Sequence, residues 1–143
     1  YASKICAYAQ GFNLLEEAGK VYGWDLQMGR IAKIWRSGCI IRARFLDTVS
    51  EIFEKENGMT NLLASGYFSQ ILYGARAGWG RIISLAVERG AAVPALSSAL
   101  AYFDSYRTAR GSANLLQAQR DCFGAHTYER IDKEGAFHTD WMN

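Results

Sequence analysis

GRIAKIWRSGCIIRARFLDTVSEIFE, residues 29–54, carries the fold class. Set at the roughly 100° steps of an α-helix, Arg30, Lys33, Arg36, Arg44, Asp47, Glu51 and Glu54 fall in a polar sector about 120° wide. Ile31, Ile34, Trp35, Ile41, Phe45, Leu46, Val49, Ile52 and Phe53 fill the other side. That periodicity predicts one amphipathic helix running from about Gly29 to Glu54. Arg42 breaks it by pointing into the middle of the apolar face, where a guanidinium that cannot deprotonate needs a buried acid or backbone carbonyls as partner. A subunit contact or a ligand is the alternative use for it.

Helical spacing continues on both sides. Ile5, Tyr8, Phe12 and Leu15 recur at three- and four-residue steps, with Gly23 as a stop. EKENGMTN reads as a loop, and helical spacing resumes from Asn61 to Arg89. Gly74, Gly78 and Gly80 lie inside that helix, where each costs up to about 1 kcal/mol against alanine, so close approach of a second helix is the expected compensation. Pro94, the only proline, suits the first turn of a helix reaching about Tyr106, and GSAN leads into a shorter helix from Asn114 to Phe123. Five or so helices and an irregular, extended last stretch result, with neither βαβ alternation nor a glycine-rich phosphate loop. The fold class is all-α.

With 143 residues, half of them hydrophobic, the chain holds one globular core and is short for two. Sixteen basic against fourteen acidic side chains are too balanced for a general nucleic-acid or membrane-surface binder, so an anion site must be local. Cys6, Cys39 and Cys122 are odd in number and scattered, without metal-ligand spacing, which fits a reducing cytoplasm better than a disulfide framework. No apolar run is long enough to span a membrane. Tyr1 opens directly inside a helical pattern without a cap, as expected of numbering that begins within a larger protein.

LLQAQRDCFGAHTYER, residues 115–130, holds the candidate site. Leu115, Leu116, Ala118, Cys122 and Phe123 share one side of the helix and Arg120 projects from the flank of the other. On a continuous helix His126 would lie about 240° further round. Gly124 offers an ending between the two, because glycine tolerates the left-handed conformation of a helix cap. A guanidinium and an imidazole could then approach one anion from two backbone directions. Taken alone, the pair reads as an exposed arginine beside Asp121 and a histidine favoured near a helix C-terminus.

YASKICAYAQGFNLL, IAKIWRSGCIIRARFL, ALAYFDSYR, ANLLQAQRDCFGAHTYERIDKEG and FHTDW together resemble the C-terminal helical region of the 6-phosphogluconate dehydrogenases, with QAQRD followed by FGAHTYE as the specific motif. The resemblance implies a helical dimerisation domain over residues 1–124 and a tail, 125–143, reaching the neighbouring subunit's active site. It implies that Arg120 and His126 bind the phosphorylated end of 6-phosphogluconate across a homodimer interface. It also implies that the lysine base, the glutamate acid and the NADP-binding domain lie upstream of Tyr1, so that this chain alone is inactive. The family usually carries Leu-Pro where Gly111 and Ser112 stand and Tyr where Cys122 stands. Two other functions compete: a separate helical dimerisation module without catalysis, and a nucleic-acid binder resting on Arg30, Lys33, Arg36 and Arg44.

Overall fold

The structure, a computed structural model, describes residues 1–36, 38–56 and 58–142. Helix α1 spans Ala2–Tyr22 and ends at Gly23 in the left-handed conformation. Helices α2, Met28–Arg36, and α3, Leu46–Lys55, come next. A short 3₁₀ turn, Leu62–Ala64, then leads into α4, Gly66–Glu88, and α5, Pro94–Tyr106. Helix α6, Ala113–Gly124, precedes a small antiparallel ribbon of β1, Tyr128–Glu129, and β2, Ala136–Phe137, in which Tyr128 faces Phe137. The fold is all-α apart from this ribbon. Contacts divide the chain into two compact units, residues 1–103 and 104–143, so α6 groups with the segment on its C-terminal side.

The single helix expected over residues 29–54 is instead a helical hairpin. The chain leaves its helical path after Arg36, passes through Gly38 at φ 73°, and re-enters a helix only at Leu46. Lys33 Nζ meets Glu54 Oε1 at 2.6 Å, and Arg36 Nη1 meets Asp47 Oδ1 at 2.6 Å. On a continuous helix Lys33 and Glu54 would stand about 30 Å apart. Folding back brings the basic end of the polar stripe against its acidic end. Both pairs are half exposed, so they set register more than they stabilise. Close packing does more: a Cβ at Gly29 would lie 3.2 Å from the Ser50 carbonyl oxygen and 3.3 Å from Glu54 Cγ.

The same break overturns the expectation for Arg42. Once residues 38–45 leave the helix, Arg42 no longer projects from an apolar face, and it stands exposed beside Arg36, Arg44 and Asp47 at the edge of a cavity of about 340 Å³. Ile40, two positions earlier, is fully exposed.

The core of the first unit joins α1, α3 and α4 through Ile5, Phe12, Leu46, Val49, Leu62, Phe68 and Leu72, all essentially without exposure. Phe12 packs on Trp35 and Phe53, with ring centroids 4.9 and 5.2 Å away, and Phe45 sits between Tyr8 and Phe68 at 5.0 and 5.9 Å. The Asn61 side chain accepts from Leu63 N–H at 2.9 Å and donates to the Tyr102 hydroxyl at 2.8 Å, and Ser65 Oγ caps α4 by accepting from Phe68 N–H. Trp79 Nε1 donates to the Leu96 carbonyl at 3.2 Å, fixing α5 against α4. Among the described residues the glycines of α4 do not receive the helix expected of them. A Cβ at Gly74 would meet nothing within 4 Å, and at Gly78 and Gly80 it would meet only the side chains of Arg81 and Arg76.

These two kinds of glycine should respond oppositely to alanine. Gly29→Ala forces α2 and α3 apart and should destabilise the 143-residue chain by about 1–3 kcal/mol. Gly74→Ala adds helix propensity in open space and should stabilise it by up to about 1 kcal/mol. Urea unfolding followed by circular dichroism reads both, and a loss at Gly74 as large as that at Gly29 would contradict the packing described.

Candidate functional site

Helix α6 ends between Arg120 and His126, as the sequence anticipates, but by a different residue. Gly124 is the last helical position; Ala125 takes the left-handed conformation at φ 50°, and its N–H bonds to the Asp121 carbonyl at 2.8 Å. Gly124 is needed for space instead. A Cβ there would lie 3.2 Å from Cδ2 and Nε2 of His126, whose ring folds back over the helix end.

Asp121 anchors the segment beyond the helix. It is the one fully buried residue of α6, with no exposed area. Its Oδ1 accepts from Thr127 N–H at 2.9 Å and from His138 Nδ1 at 2.9 Å; its Oδ2 accepts from Thr139 N–H at 3.0 Å and Trp141 Nε1 at 2.9 Å. Burial raises the pKa of this carboxyl. The bonds from Thr139, His138 and Trp141, together with the charge of His138, outweigh burial and hold it well below the usual carboxylate range. An ionised carboxylate only accepts, so His138 Nδ1 carries a proton. The two motifs QAQRD and FHTDW, far apart in the chain, thus meet on one side chain.

Gln117 joins the two candidate ligands. Its Nε2 donates to the Thr127 carbonyl at 2.6 Å, and its Oε1 accepts from Arg120 Nη1 at 3.3 Å. It also lines an open cavity of about 380 Å³ together with His126, Thr127, Tyr128, Glu129 and Ala136. Arg120 is exposed on α6, and His126 is exposed on the turn after it. Among the described residues they do not bond each other; they stand on one frame through Gln117. The ribbon closes the far side, where the Tyr128 hydroxyl meets Thr139 Oγ1 at 2.6 Å and the Arg130 guanidinium lies 5.5 Å from the Phe137 ring centre.

Spacing along the sequence marks Asp121 only as a neighbour of Arg120 and gives Gln117 no role. One signal is present: an aspartate in the last turn of a helix faces the negative end of the macrodipole, a disfavoured place unless N–H donors hold it. The apolar side of α6 is not the buried one, since Leu115, Leu116 and Phe123 are exposed by 74%, 60% and 80%.

Helices and anchored tail define an all-α domain ending in a carboxylate-clasped segment that presents a guanidinium and an imidazole. A family model described as 6-phosphogluconate dehydrogenase, C-terminal domain, matches residues 1–141, and the chain belongs to that family. It is 56% identical over 142 residues to the NADP(+)-dependent, decarboxylating 6-phosphogluconate dehydrogenase of Bacillus subtilis (strain 168), covering 99% of this chain and 30% of the relative. A decarboxylating 6-phosphogluconate dehydrogenase of Spinacia oleracea is 52% identical, over 99% of this chain and 29% of that protein. The solved 6-phosphogluconate dehydrogenase of Plasmodium falciparum, described in apo form and in complexes with NADP+ and with 6-phosphogluconate, is 40% identical and matches at a TM-score of 0.92 over 99% of this chain and 30% of that one. The chain therefore spans about 30% of the length of the relatives it matches.

Because its folded-state pKa is depressed, the Asp121 clasp contributes fully above the ordinary aspartate value of about 4 and is lost as pH falls through the lower folded value. Protection of the Thr127 and Thr139 amides against hydrogen exchange should persist from neutrality to about pH 4 and fail only below it. Asp121→Asn should lower that protection at neutral pH for one of the two amides, since whichever way the side-chain amide turns, its NH₂ faces either Thr127 N–H or Thr139 N–H. Undiminished protection in Asp121→Asn would contradict the clasp.

Proposed function

We propose that this chain completes the substrate site of an NADP-dependent 6-phosphogluconate dehydrogenase that oxidises and decarboxylates 6-phosphogluconate to ribulose 5-phosphate. Arg120 and His126 are the phosphate ligands. The observation that carries the reading is the held turn: Gln117 and Asp121 bind the turn bearing His126 to α6, the helix that also bears Arg120. A guanidinium fork matches two phosphate oxygens, and an imidazole adds a third donor from another direction. Binding energy from the phosphate, remote from the reacting carbons, orients the sugar acid for the base and acid supplied upstream of Tyr1, where NADP is also held.

The working unit is a homodimer in which residues 1–124 supply the helical contact and the tail, 125–143, reaches the neighbouring subunit. Exposed apolar side chains support this, among them Leu115, Leu116 and Phe123 on α6 and Ile82, Leu85 and Val87 on α4. The cytoplasm is its compartment: Cys6, Cys39 and Cys122 are free, and Cys122 is exposed, as a reducing environment allows. No described helix is long and apolar enough to cross a membrane. Without the upstream domain the chain alone is inactive.

In the intact protein Arg120→Ala should raise KM for 6-phosphogluconate by one to two orders of magnitude, the equivalent of roughly 1.5–3 kcal/mol, and leave KM for NADP unchanged. Subunit mixing tests donation across the interface. A heterodimer of an Arg120→Ala chain with a chain lacking the upstream lysine should keep about half of wild-type activity, because both lesions fall in one site. A nearly inactive heterodimer would place Arg120 in its own subunit's site.

A further inference from the structure

Thr127 stands in a conformation that a β-branched residue rarely adopts, φ 60°, two residues after Ala125 at φ 50°. His126 lies between these two left-handed residues. Such a turn persists only where its surroundings over-determine it. Here both backbone groups of Thr127 are taken by side chains of one helix: its N–H by Asp121 Oδ1 at 2.9 Å and its carbonyl by Gln117 Nε2 at 2.6 Å. Gln117 and Asp121 are four residues apart, so they stand one turn apart on the same face of α6. Gly124 leaves room for the His126 ring over the helix end.

We infer that Gln117 and Asp121 are positioning residues: by gripping Thr127 at both backbone groups they hold the strained turn that aims His126 at the substrate phosphate. Asp121 is the rigid half of the grip, buried and fixed by three further donors from the tail. Gln117 is the half at the cavity wall, where its loss leaves the rest of the clasp in place. Without the Gln117 donor, Thr127 relaxes toward negative φ and the imidazole swings off the helix end. The bond from Arg120 to Gln117, at 3.3 Å and exposed, contributes little beside this. The inference rests on the phosphate role proposed for His126 and adds the residues that make that role possible.

The test is a set of substitutions in the intact enzyme, with KM for 6-phosphogluconate, kcat and KM for NADP all measured. Gln117→Met keeps the helix and the side-chain volume but removes the donor. It should raise KM for 6-phosphogluconate about three- to tenfold, as expected for one lost hydrogen bond, with kcat and KM for NADP within about twofold of wild type. In a His126→Ala background the same substitution should cost less than about twofold, because no imidazole remains to be aimed. Adding Thr127→Asn to Gln117→Met should restore most of the loss, since asparagine accepts the left-handed region more readily than threonine. A general packing defect would show neither the rescue nor the selectivity. If His126→Ala raises KM and Gln117→Met does not, or if their effects add fully, the positioning role is overturned and the phosphate site stands. If His126→Ala itself leaves KM unchanged, His126 is not a phosphate ligand and the inference falls with that reading.

Discussion

A buried aspartate with four N–H donors organises residues 104–143. An ionised carboxylate removed from water is costly unless its lone pairs are taken up, and each Asp121 oxygen here receives two donors. Two donors are backbone amides, and two are the ring nitrogens of His138 and Trp141, the outer residues of the HTDW run. That run has no helical or strand periodicity of its own, and its position is set by the acceptors it meets. Gathering it over the end of α6 lets β1 and β2 pair, and the same carboxylate grips the turn behind His126. The strain in that turn, the glycine under the imidazole and the glutamine beside Arg120 all stem from one geometric demand, that residues 125–128 double back over α6.

Local rules account for most of the helices. The bounds of α1 and α5 are legible because Gly23 and Pro94 punctuate apolar stretches at helical spacing, and α6 ends one residue beyond the expected Phe123, with Ala125 and not Gly124 as its left-handed cap. The stretch 29–54 misleads for a definable reason. Residues 18 apart differ by about five full turns, so Lys33 and Glu51, or Arg36 and Glu54, share a helical angle whether or not the chain between them is helical. Periodicity is blind to the break, whereas charge is not: a stripe basic at one end and acidic at the other is what a hairpin pairs. Lys33 and Arg36 each have an acidic partner, which also removes them as a free cationic surface for nucleic acid. Arg42 then goes with its loop into solvent instead of seeking a buried acid.

For the site, the types of residue are legible and their support is not. Arg120 and His126 stand out in a chain with two histidines, and their motif carries the family resemblance. Asp121 and Gln117 act through bonds to residues up to 20 positions later, and nothing in the spacing of QAQRD announces which of its polar residues points inward. Helical angle alone assigns Asp121 no special place. Its burial is set by the tail, a nonlocal partner without a periodic signature. The family match adds what 143 residues cannot show by themselves, that the chain corresponds to about 30% of the length of the relatives it matches.

The most direct measurement is a crystal structure of the intact protein with 6-phosphogluconate bound, beside one without it. Arg120 and His126 should lie within hydrogen-bond distance of the phosphate oxygens, with Thr127 left-handed and bonded to Gln117 and Asp121 in both states. A phosphate held elsewhere, or a Thr127 that is extended until substrate arrives, would contradict the held turn on which the site is built.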